Sequence, residues 1–166
     1  LTGHLPNKEE LKDFSEHMGA LRALPDDFVK DMILSMKGKD VLNILARSVL
    51  GLYTLDEKPD SIALDNMIKQ SLNMIAKFPT IVAYSYQALR HLYKGKTLSI
   101  RHPQAELSPA ENFLYLIKGD CKGYSKLEAD LLDLMLVLHA EHGGGNNSTF
   151  TMRVTSSSET DIYSSI

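Results

Sequence analysis

Three times in this chain a hydrogen-bonding cap residue stands three positions ahead of a glutamate at the start of a run with apolar residues at helical spacing. The pairs are Asn7 with Glu10, Ser108 with Glu111, and Ser125 with Glu128. In such a capping box the two side chains satisfy backbone N–H groups that an α-helix leaves unpaired at its start. After the first box, Leu11, Phe14, Met18 and Leu21 follow at helical intervals. Pro109 at the first helical position makes the second box the clearest start signal of the chain, and Gly119 is expected to close that short helix. Pro25 opens a helix with Asp26 and Asp27 in its first turn, where the dipole favours acids, and Gly38 is expected to end it. Asp40 caps a third helix with the stripe Val41, Ile44, Leu45, Val49 and Leu52, and Lys58 to Ser61 reads as a turn.

A long helical pattern then runs from about Leu64 to Tyr93. Its apolar stripe reads Met67, Ile68, Leu72, Ile75, Phe78, Ile81, Val82, Leu89 and Leu92, and Pro79 predicts a sharp kink or two abutting helices. No β-hairpin signal is present. Thr149 to Thr155 alternates in a way that also suits a strand. The expected architecture is all-α, a single domain over residues 1–166.

At 166 residues the chain can build one core, since a domain of roughly 150 residues buries about 70% of its unfolded surface. A net charge of −3, a pI near 6.1 and dispersed basic residues argue against nucleic acid as a partner. The one cysteine, Cys121, rules out an internal disulfide, fits a reducing cytosol and falls in an expected helix–helix connection. No run approaches the ~18 apolar residues of a membrane span; Leu134 to Leu138, among the longest, has five. Leu1 to Glu10 has neither the basic nor the apolar part of a signal peptide. A cytoplasmic location is therefore expected, with an N-terminus that has been cut or begins mid-protein.

The helix expected from Ser125 to about His142 alternates polar and apolar residues in its first half and is apolar all round at Leu134 to Leu138. A helix turn without a polar face must be covered on every side. The core or a second subunit can do this, which makes a homodimer a reasonable expectation.

Directly after that stretch comes His139-Ala-Glu-His142-Gly-Gly-Gly-Asn146-Asn-Ser148-Thr-Phe150. The two histidines have the spacing of one helix face. A zinc reading is weak, because the pattern matches no metalloprotease signature and no motif supplies further ligands. A nucleotide phosphate loop would need Gly-Lys-Ser/Thr after a strand. A small carboxylate ligand suits the residues better. Gly143 to Gly145 allow left-handed backbone and close approach, Asn146 to Thr149 offer donors and an N-cap for a new helix, and His142 can donate to a carbonyl or carboxylate. From spacing alone this reading stands level with a C-cap glycine followed by a solvated loop.

This block resembles the segment of the citrate synthase family around its first active-site histidine. Other segments agree in order: Gly3-His-Leu-Pro-Asn-Lys-Glu-Glu-Leu11 resembles a family helix start, Phe78-Pro-Thr-Ile81 its kinked long helix, and Leu107-Ser-Pro-Ala-Glu-Asn-Phe-Leu114 a further segment. The resemblance implies the multi-helical large domain of that family, truncated at both ends, and an acyltransferase that condenses acetyl-CoA with oxaloacetate to give citrate and coenzyme A. It implies that His142 and Asn146 bind oxaloacetate and that Ser148 and His139 support the site from behind. The family's Gly-Pro-x-His-Gly block, its other catalytic groups and its small coenzyme A-binding domain are absent here. No catalytic residue is therefore expected within this chain, which is predicted to be inactive in isolation. No metal or cofactor is implied, coenzyme A thioester being a substrate. The expected partners are oxaloacetate, acyl-CoA and further copies in a homodimer or higher homo-oligomer, without nucleic acid or membrane. Two alternatives remain: a 2-methylcitrate synthase using propionyl-CoA, and a non-catalytic helical dimerisation module.

Overall fold

A computed structural model describes residues 3–118 and 123–166; the expectations for Gly119 and Cys121 lie outside these. Among the described residues every regular element is helical. Helix α1 (Lys8–Ala20) and helix α2 (Asp26–Phe28) come first, the latter continuing as a π-helical segment, Val29–Ser35. Helix α3 (Val41–Leu52) ends in a 3₁₀ turn, Tyr53–Leu55, and helix α4 (Leu64–Lys94) is the longest. Helices α5 (Pro109–Ile117), α6 (Lys126–Leu138), α7 (Asn147–Ser156) and α8 (Ile162–Ser165) complete the chain.

The three capping boxes form as the sequence requires. Asn7, Ser108 and Ser125 each accept from the backbone N–H of the glutamate three residues on, and that glutamate returns a bond to the cap. Asp40 likewise accepts from Leu42 N–H at 2.9 Å. Pro25 caps α2, but the wide π turn ends at Ser35 rather than at Gly38. This turn faces α3 at Gly51, where a Cβ would lie 2.8 Å from Met32 Cε.

Helix α4 passes through Pro79 as one continuous helix, so the expectation of two abutting helices is not met. A proline inside a helix costs ~3 kcal/mol. Here its neighbours Thr80 and Ile81 are wholly buried, and packing against α3 and α5 offsets that cost. Ile33, Ile44, Val49, Leu52, Met74, Ile81, Tyr84, Leu116, Ile162 and Tyr163 form the core, which α4 crosses. The buried face of α4 is more polar than its apolar stripe suggests: Gln70 and Lys77 are buried, while Ile68 and Ile75 are exposed.

Helix α1 lies close on the segment 101–107. Gly19 faces the Ala105 carbonyl so closely that a Cβ would stand 2.2 Å from its oxygen. Beside it the buried Arg22 guanidinium donates to the carbonyls of Gln104 and Leu107, both at 2.7 Å.

At the other end, α6 and α7 are peripheral. Ala129 is the one buried residue of α6, and α7 has none. Leu134, Met135, Leu136, Val137 and Leu138 are all exposed in the single chain, Leu138 by 68%. The described residues hold no helix long and apolar enough to cross a membrane.

Candidate functional site

The glycine-rich loop joins these two peripheral helices. Helix α6 starts at a cap whose glutamate, Glu128, also receives Lys118 Nζ at 2.5 Å, and this ties it to the end of α5. It ends at Leu138, earlier than the expected His142. The reason is local: His139 is the C-cap, and its backbone N–H still bonds to the carbonyls of Met135 and Val137. The chain then leaves the helix, so His139 and His142 do not share a helix face. Their rings lie 6.3 Å apart between centroids, tilted by 53°.

His139 turns back on its own helix, with Nδ1 2.7 Å from the carbonyl oxygen of Met135. His142 lies beyond the helix, exposed to solvent, and its ring makes no hydrogen bond among the described residues. Gly143 follows with φ +79°, the left-handed region that a residue with a Cβ rarely adopts. Its N–H donates to the Glu141 carboxylate and its carbonyl accepts from Asn146 N–H at 3.2 Å. These bonds fold the three glycines into a tight reversal.

The residues after the glycines form α7, not a strand. Asn146 is its N-cap, with Oδ1 accepting from Ser148 N–H at 2.9 Å and Thr149 N–H at 3.4 Å. The carboxamide oxygen of Asn146 is thus committed to the helix start, which leaves its amide nitrogen as the group free to donate to a ligand. Ser148 sits exposed in the first turn of α7. His142 and Asn146 therefore lie on the reversal between α6 and α7, with His139 at its entrance and Ser148 in the first turn of α7.

Arg153, which carries no site expectation from the sequence, belongs to the same place. From the last turn of α7 its guanidinium reaches back to the loop. A side chain at Gly144 would have its Cβ 3.8 Å from Nη2 and 3.9 Å from Nη1 of Arg153. The signal existed in the sequence, since Arg153 lies about two turns beyond Asn146, but it depends on reading Thr149 to Thr155 as helix.

A second polar cluster fixes the segment after α7. Tyr163 of α8 is 2% exposed; its ring packs edge-on against Tyr53 at 6.2 Å, and its hydroxyl donates to Asp56. The described residues hold no group of three or more His, Cys, Asp or Glu that could bind a metal ion.

Comparison with known proteins agrees with this architecture. The family model for the C-terminal domain of citrate synthase matches residues 1–166. The chain therefore belongs to the citrate synthase family. The citrate synthase of Deinococcus radiodurans is 38% identical over 164 residues, covering 99% of this chain and 41% of that protein. The 2-methylcitrate synthase 2 of Corynebacterium glutamicum is 28% identical over 167 residues, covering 99% and 42%. In the crystal structure of citrate synthase from Pyrobaculum aerophilum a matching segment superposes with a TM-score of 0.83 at 31% identity, covering 99% of this chain and 41% of that one. The chain thus spans about two fifths of the length of the relatives it matches.

Proposed function

We propose that this chain contributes the oxaloacetate-binding part of a citrate synthase, which condenses acetyl-CoA with oxaloacetate to give citrate and coenzyme A. The observation that carries the reading is the family match over the whole chain, together with His142 standing open to solvent on a left-handed glycine reversal. An imidazole N–H in that position can donate to the ketone oxygen of oxaloacetate and polarise it. Charge develops on that oxygen as the new carbon–carbon bond forms, so a donor aimed there lowers the barrier. The Asn146 amide nitrogen is a second donor beside it. Ser148 and His139 act on the site from behind, through backbone and histidine orientation.

The proton that must leave the acyl-CoA methyl group goes to a base outside residues 1–166. The resulting enol attacks the ketone carbon, and hydrolysis of the thioester then releases coenzyme A. In this reading coenzyme A is a substrate, no metal or bound cofactor takes part, and the protein works in the cytoplasm. Helix α6 supports a homodimer or a higher homo-oligomer, because its exposed apolar turns at Leu134 to Leu138 need a cover.

The test is a His142→Ala exchange in the protein that carries this chain, followed by calorimetric titration with oxaloacetate and a coenzyme A release assay. Loss of such a donor lowers kcat by ~10²–10³, and oxaloacetate binding should weaken with it. Unchanged affinity and turnover would remove His142 from the site. Relatives named as citrate and as 2-methylcitrate synthases both match, so kcat/KM for acetyl-CoA against propionyl-CoA decides the acyl substrate.

A further inference from the structure

We draw no further inference here: the strongest candidate, the apolar groove that α1, α4, α5 and α6 line around Phe78, Pro79, Phe113 and Leu136, is an unpartnered face, and nothing in the structure shows what covers it.

Discussion

The hydroxyl of Tyr163 donates to Oδ2 of Asp56 across 2.7 Å, joining residues 107 positions apart in the chain. The same carboxylate oxygen receives Gln70 Nε2 at 2.7 Å, and Oδ1 receives Lys58 N–H at 2.8 Å. Asp56 is therefore the knot that holds α8, α4 and the turn after α3 together. Since α8 follows α7 directly, the knot also fixes the far end of the α7 arm that carries the glycine loop. Removing the hydroxyl by Tyr163→Phe leaves the ring in the core and deletes only this bond. A hydrogen bond to a charged group contributes ~1.5–3 kcal/mol, so equilibrium urea unfolding should show a loss of about that size. A loss below a few tenths of a kcal/mol would mean that Gln70 and Lys58 hold Asp56 without help.

The same knot sets the behaviour in acid. Burial pushes the Asp56 carboxyl up, but bonds from Lys58 N–H, Tyr163 and Gln70 outweigh it and hold the group below its ordinary range. Asp161, whose side chain caps α8 through Ser164, is also held low despite burial. Glu128 is brought down to about 2 by Lys118 and by the cap bonds from Ser125. For a carboxyl depressed in the folded state, the stabilisation is complete above the unfolded pKa of ~4 and is lost as pH falls toward the folded value. Stability should therefore drop as pH falls below ~4. Tyr163→Phe should flatten part of that slope, and an identical acid profile for the two proteins would show that Asp56 contributes nothing to it.

Gly19 marks a very close approach of α1 to the segment 101–107. A methyl group there would sit 2.2 Å from the Ala105 carbonyl oxygen, and backbone cannot yield as a flexible side-chain end can. Alanine would raise helix propensity by ~1 kcal/mol at an exposed helical site. Overpacking a tight contact costs ~1–3 kcal/mol, and the backbone partner places this case at the upper end. Gly19→Ala should be net destabilising in thermal melts, with Arg22 losing its seat on the Gln104 and Leu107 carbonyls. A variant that melts at or above the wild-type temperature would show that the segment 101–107 moves freely.

What the sequence revealed and concealed follows the physics of each residue. Helix starts were legible because the capping bonds are local: Asn7, Ser108 and Ser125 each meet their glutamate within one turn. The stripe of α3 was legible because Ile44, Val49 and Leu52 are buried for being apolar. The buried face of α4 was not, since Gln70 and Lys77 are buried to satisfy distant backbone. Lys77 Nζ bonds to the Leu21 carbonyl, 56 positions away, at 2.6 Å, and Gln70 serves the turn at Asp56 to Pro59. Likewise an N-cap within Asn146 to Thr149 was readable, while the end of α6 at Leu138 and the return of Arg153 to Gly144 depend on how the loop folds.

The core tyrosine of α4 gives the alkaline counterpart to Asp56. Tyr84 is buried beneath the segment 101–107, and its hydroxyl donates to the Arg101 carbonyl at 2.7 Å. Burial, reinforced by the negative charge of Asp26 and by Tyr115, pushes its pKa up to about 12. A group whose pKa is raised on folding contributes stability that is complete below the unfolded value of ~10 and is lost as pH climbs through the folded value. Unfolding should therefore become easier between about pH 10 and pH 12, as the unfolded chain ionises its tyrosine first. Tyr84→Phe removes the titrating group along with one hydrogen bond of ~1 kcal/mol. The variant should be less stable than wild type at pH 8, with the difference narrowing by pH 11 in denaturant titrations. A gap that stays constant across that range would mean that the tyrosinate is as well solvated in the folded protein as in the unfolded chain.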